Sequence, residues 1–331
     1  MKRFEQHGTP TPTPTPPTSD GVCLLTAVSP RKEEGNSPTG IVGRCLARHL
    51  LAMGLRVRVI AEADQLDDWP DTTEVVEGSI TRPLECARAF DGAGRLFLAG
   101  AHPSTVEDAL TLAREGGATR VVVLSSHGPE YEAAYPPETW YWLAIEKAVE
   151  RSGLAWTHIR PSAVMGSVIE GTYPATGSDW PETIRAEGVV REAFLDRGHY
   201  PFIHEEDLAA VAAAALTGDI RTGTVVEAVG PPLSTRSRVL SLAAALGRDI
   251  ETVDLAPGES RAVWRRRGWP DGAIDVTLYA LEEYGARYAE LVRWTLEQRP
   301  SVQDITGRPP RTYDDWVGEN IDAFRRPADQ R

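Results

Sequence analysis

The chain has 331 residues, 41% of them hydrophobic, and a net charge of −13. That is enough apolar material for one large α/β domain or a domain with a smaller companion. The negative charge opposes binding to nucleic acid and anionic membranes, and no apolar run reaches the roughly 20 residues that span a bilayer.

Residues 9–17 form a Thr/Pro repeat, so 1–20 are predicted to be a disordered tail with polyproline character. The opening MKRFEQHG leads into prolines rather than an apolar segment, which predicts no signal peptide and a cytoplasmic protein. Cys23, Cys45 and Cys86 show no CxxC spacing and are expected to be buried thiols. Apolar runs at 21–28, 56–63, 74–78, 94–100, 119–126 and 155–162 read as strands, with helical spacing at 40–54, 83–92, 104–117 and 140–153 between them. Such runs, uniformly apolar rather than alternating, imply strands buried on both faces. The fold class is therefore α/β, a doubly wound parallel Rossmann-type sheet with all strand C-termini on one edge. A strand-like entry and Ala-rich helix follow at 200–218, then a strand at 223–230. Helical patterns dominate after that, at 234–247, about 257–268, about 271–297 and 313–325. The expected organisation is a Rossmann-type domain over 21–230 and a smaller, mostly helical substrate-binding lobe over 231–331. That lobe is partly interleaved with 163–205 and closes a pocket at the junction.

The segments TGIVGR, VVEGSITRPLECARAFDGAGRLFLAG, RVVVLSS, EKAVERSGLAWTHIRPS, YPFIHEEDLAAVAAAALTG and ITGRPPRTYDDWV occur in this order across 21–325. In order and spacing the chain resembles the NmrA-like branch of the atypical short-chain dehydrogenase/reductases. The resemblance implies an NAD(P)-binding fold. Its members are mostly reductases, with some NADP-sensing regulators that lack catalytic activity.

Several positions depart from that pattern. The family loop T-G-x-x-G-x-x-G lets backbone N–H groups approach a pyrophosphate at a helix N-terminus. Here fourteen positions separate Thr26 from Gly40, about ten more than the pattern has, and the first glycine is Ala27. Thr39, Gly40, Ile41, Val42 and Gly43 remain as cofactor-binding candidates. The polar insert at 29–38 either loops out or weakens or abolishes dinucleotide binding. Where NADP-users of the family carry an arginine after the second strand, this chain has Glu62. Its carboxylate repels a 2′-phosphate and can accept ribose hydroxyls, so NAD(H) fits at least as well as NADP(H). Ser79 stands where an Asp is common near the adenine. Ala99 and Gly100 complete the cofactor edge. The Tyr/Lys pair of Y-x-x-x-K is absent: there are three lysines, Lys2, Lys32 and Lys147, and Leu143 lies four before the last. The alignment puts Glu138 and Trp142 at the Tyr and Lys positions.

Acid/base candidates come from the strand ends. His127 and Ser126 follow the fifth strand, His102 follows the fourth, and the loop between Ser125 and Trp142 adds Tyr141 and Glu138. Tyr131, Tyr135, Trp142, Ser162 and Met165 are expected to line the substrate pocket. No His/Cys spacing signals a metal. The leading reading is an NAD(P)H-dependent tailoring enzyme acting on a small aromatic or polyketide-like metabolite. Two alternatives stand beside it: a redox-neutral cyclase, isomerase or dehydratase with cofactor binding lost, and a non-catalytic metabolite or dinucleotide sensor. A small-molecule substrate is expected, with no nucleic acid or membrane partner.

Overall fold

The computed structural model describes residues 21–26, 39–67, 69–170, 179–197, 199–279 and 297–326, with isolated positions between 281 and 293. The Thr/Pro repeat, Ala27 and the insert at 29–38 lie outside the described residues. In chain order the strands are β1 (Val22–Leu25), β2 (Val57–Ala61), β3 (Glu74–Glu77), β4 (Ala93–Leu98), β5 (Arg120–Leu124), β6 (Ala155–Pro161), β7 (Ala163–Val164), β8 (Val189–Glu192), β9 (Tyr200–Ile203), β10 (Thr224–Ala228), β11 (Pro232–Leu233) and β12 (Glu251–Asp254). The helices are α1 (Thr39–Ala52), α2 (Val106–Glu115), α3 (Trp142–Arg151), α4 (Ser167–Glu170), α5 (Trp180–Ala186), α6 (Glu205–Thr217), α7 (Thr235–Leu246), α8 (Pro257–Arg266), α9 (Asp271–Tyr279), α10 (Val302–Thr306) and α11 (Tyr313–Asn320).

Seven strands form one parallel sheet in the order β10-β6-β5-β4-β1-β2-β3, the doubly wound arrangement expected from the sequence. Alternation along each strand divides its apolar residues between two cores. Val122 and Leu124 of β5 face α1 and α6, whereas Val121 and Val123 face α2 and α3. Leu46 and Leu50 of α1 are fully buried, each contributing about 1.5–3 kcal/mol. The order reverses between β1 and β4, so the crevice for a ligand lies above their C-termini.

The segment at 83–92, predicted to be an α-helix, is instead a 3₁₀ stretch over Pro83–Phe90 with a kink at Cys86. The kink lays Cys86 against Gly78, where a Cβ would stand 2.5 Å from the Cys86 Cβ. All three cysteines are buried free thiols.

The C-terminal lobe packs Trp180, Tyr313, Trp316 and Phe324 into its own core. It also carries two small sheets, β11-β9-β7 and β12-β8, of whose strands only β9 was anticipated, as the strand-like entry at 200. Buried inside it, the Arg238 guanidinium lies 4.3 Å from the Trp180 ring centre and 4.1 Å from that of Phe202. Glu192 accepts from Trp180 Nε1 at 3.2 Å and from Thr235 Oγ1 at 3.4 Å. The GRPPR segment anchors the lobe to α6, where buried Asp207 accepts from the Arg311 amide at 2.6 Å and pairs with Arg308 and Arg311 at 3.2 Å. His204 caps α6 by accepting from the Glu206 amide, a structural role consistent with its place before an acidic helix start. Among the described residues no helix is long and apolar enough to cross a membrane.

Candidate active site

On the cofactor side, α1 begins at Thr39 with no acidic residue in its first turn. The first-turn N–H groups and positive pole of a helix are suited to a pyrophosphate. Gly40 and Gly43 are buried, and Val42 turns its side chain into the core, leaving the backbone as its contribution. The Thr39 side chain lies outside the described residues. Ile41 packs against Gly166, where any Cβ would collide with it, so the lobe enters directly over the first turn of α1. Buried Thr26 ties β1 to β4: its hydroxyl donates to the Ala99 carbonyl at 2.8 Å and accepts from the Ala99 amide at 2.9 Å. Gly100 then turns the chain with φ +70°. Glu62 follows β2 in extended conformation, half-buried. Ser79 is buried, its hydroxyl 2.9 Å from that of Thr81. A helix N-terminus free of acid, a carboxylate at the end of β2 and a clamped switch point fit a dinucleotide.

The proton-transfer candidates do not converge on one point. Tyr141 donates to the Ala101 carbonyl at 3.1 Å and meets the His102 ring edge-on at 5.7 Å. His102 is exposed, its Nδ1 accepting from the Ser104 amide at 3.2 Å. Glu138 and Tyr135 are exposed, and Trp142 packs on the α2/α3 core. Among the loop carboxylates, Glu132 accepts from the amides of Tyr141, Trp142 and Leu143 at 2.9, 3.1 and 2.9 Å, stabilising the α3 N-terminus. Ser126 is half-buried beside His127. The Tyr131 side chain lies outside the described residues. Ser162 accepts from the Gly230 amide at 3.3 Å, tying β6 to β10. Met165 is 1% exposed, in the lobe core.

His127 belongs to a different group, most of which the sequence reading did not single out. Parallel register places Ser125, Arg160 and Glu227 side by side where β5, β6 and β10 end, on the α3 face. Arg160 grips Glu146 of α3 through Nε at 3.0 Å and Nη2 at 2.7 Å, and Ser125 donates to the same carboxylate at 2.7 Å. Burial pushes the Glu146 carboxyl up, but the Arg160 hydrogen bonds and the nearby charges outweigh it and hold it low. Arg160 also bonds Glu130. His127 Nδ1 stands 3.1 Å from Glu227 Oε2, and Arg299 bonds the other Glu227 oxygen. Arg299 reaches Glu130 as well, at 3.2 Å. Burial raises the Glu227 carboxyl; His127 and then Arg299 reverse that and keep it ionised. A single charged residue inside the apolar run VVEAVG was the signal that could have found Glu227. Among the described residues no group of His, Cys, Asp and Glu is arranged to hold a metal.

The NAD(P)H-binding family model matches residues 38–219. A Streptomyces griseus subsp. griseus protein named (4-alkanoyl-5-oxo-2,5-dihydrofuran-3-yl)methyl phosphate reductase is 30% identical over 292 residues, covering 86% of this chain and 96% of that protein. An NADPH-dependent quinone oxidoreductase from Escherichia coli superposes with a TM-score of 0.65 at 16% identity, covering 90% of this chain and 98% of that one. The negative transcriptional regulator NmrA in complex with NAD does so with a TM-score of 0.63 at 14% identity, covering 92% and 96%. The chain belongs to the NAD(P)H-binding family of reductases and has the fold of the NmrA-like atypical short-chain dehydrogenase/reductases.

Proposed function

We propose that this protein is an NADH-preferring reductase of a small metabolite, with His127 delivering the proton that accompanies hydride transfer. The observation that carries this reading is the His127–Glu227 contact of 3.1 Å at the sheet edge. β5 ends two strand spacings from β1, roughly 10 Å, within reach of a dinucleotide extending from the α1 N-terminus. A bound dinucleotide supplies the hydride. The chain's own residues do the rest. The α1 N-terminus binds the pyrophosphate, Glu62 accepts the ribose hydroxyls, and Gly100 lets the backbone pass close beneath. Because the carboxylate at Nδ1 can only accept, His127 keeps its Nδ1 proton and transfers the one on Nε2. That proton goes to the oxygen of a carbonyl, or to the carbon beside it in a conjugated system, and the imidazole is reprotonated from water.

The substrate class we favour is a small aromatic or polyketide-like metabolite presenting a neutral polarised double bond. The cluster around His127 holds three carboxylates against two guanidiniums, which opposes a phosphate at that position. The phosphate named in the Streptomyces relative's substrate is therefore not carried over to this edge. Calorimetry tests the reading directly. NADH is expected to bind at least about tenfold tighter than NADPH, a difference of about 1.4 kcal/mol. If neither binds at millimolar concentration, the reductase reading falls and a redox-neutral activity becomes the better account.

A further inference from the structure

We infer that Glu227 is the positioning residue for His127, and that Arg299, arriving from the C-terminal segment, holds Glu227 in place for that role. This rests on His127 being the proton donor.

Three observations support it. First, Glu227 is 0% exposed in a strand whose neighbours Val226 and Ala228 are core residues. A buried carboxylate needs partners, and its two oxygens divide theirs between His127 on Oε2 and Arg299 on Oε1. Second, Arg160 already has a bidentate partner in Glu146 and stands 4.0 Å from Glu227 Oε1. Glu227 is therefore not required to neutralise Arg160, and its closest cationic partners are His127 and Arg299. Third, the segment around Arg299 docks on β10 by its backbone. The Glu227 amide donates to the Pro300 carbonyl at 3.0 Å, and Glu227 forms a bridge with Ser301. Main chain and side chain thus converge on one residue.

His127 contacts Glu227 of β10, which is joined through Arg299 to Glu130 of the loop after β5 and stands beside Arg160 of β6, with Ser125 and Glu146 behind Arg160. A proton on His127 brings this set of three carboxylates and two guanidiniums to neutrality. Glu227 fixes the ring's tautomer and plane, so Nε2 presents the proton in one direction.

A double-mutant cycle on kcat with saturating NADH tests the link. His127→Ala is expected to lower kcat about 100-fold or more, with partial rescue by added imidazole. Glu227→Gln is expected to lower kcat about 10- to 100-fold with KM little changed. In the His127→Ala background, Glu227→Gln should produce no further loss. Losses that multiply, or a Glu227→Gln enzyme with normal kcat, overturn the positioning role while leaving the reductase intact. A His127→Ala enzyme with normal kcat overturns both the donor and its positioning residue. If Glu227→Gln does not yield folded protein, Arg299→Gln serves, because that side chain is 21% exposed at the rim. Its kcat loss must likewise vanish without His127, and a loss that persists overturns the proposal.

Discussion

Two buried polar groupings in this molecule differ in access to solvent. In the lobe, Glu192 and Arg238 are each 1% exposed, closed in by Trp180, Phe202 and Thr235. At the sheet edge, Glu227 and Arg160 are as deeply buried, but Glu130 and Arg299 of the same grouping reach the surface. The closed grouping is held by ring contacts and buried hydrogen bonds and serves packing. An open one can be recharged from water, and that makes it suitable for catalysis. On the proposed function, buried charge marks a site only where it also has a path to solvent.

The sharpest way to break this contrast is Arg238→Ala. It strips a guanidinium from between two buried rings and leaves a cavity in the lobe core, so stability in urea should fall by about 3–5 kcal/mol. NADH-dependent turnover below the unfolding transition should be unchanged. A large kinetic effect with normal stability would reverse the assignment of roles.

A second consequence is a pH effect. Burial pushes the Glu192 carboxyl up to about 8, with Arg238 opposing that rise. Its folded-state value thus lies above its unfolded one, and between about 4.5 and 8 the folded protein holds the extra proton. Stability should therefore decline as pH rises through that window, by at most about 1.4 kcal/mol per unit. Unfolding curves at pH 6 and pH 8 should show this decline in the natural chain and a flatter response in Glu192→Gln.

Smaller effects are expected on the open side. Glu62→Arg should reverse the cofactor preference, improving NADPH relative to NADH about tenfold, because it replaces a repelling carboxylate with a partner for a 2′-phosphate. An unchanged ratio would remove Glu62 from the cofactor site. Glu132→Ala should cost about 1 kcal/mol by stripping the acceptor from three amides at the start of α3. A Tm unchanged by that substitution would show that water replaces the carboxylate without cost.

The central sheet was legible in the sequence because its strands are buried on both faces and read as uninterrupted apolar runs between helical patterns. Val22–Leu25 and Arg120–Leu124 are examples. Of the lobe's small strands only Tyr200–Ile203 was, since pairs such as Ala163–Val164 and Pro232–Leu233 are too short for any period to show. His127 was singled out because a histidine at a strand end is conspicuous. Its partners were missed because Glu227 and Arg299 are 72 positions apart, and only the register of β6 against β10 brings Arg160 and Glu227 together. Glu138 was favoured over Glu130 and Glu132 through alignment to a missing tyrosine, although the 3₁₀ turn at Pro137–Thr139 leaves it in solvent.

The pairing of Arg299 with Glu130 spans 169 positions, which has a consequence for synthesis. During translation every strand of the sheet leaves the ribosome before the residue that completes the proton-donor cluster. A nascent chain paused after β10 would have Glu227 beside His127 with its second cationic partner, Arg299, still untranslated. A premature stop codon ahead of codon 299 should therefore remove one of the two cations on Glu227 together with Tyr313, Trp316 and Phe324 of the lobe core. Such truncations should be recovered as unstable, inactive species.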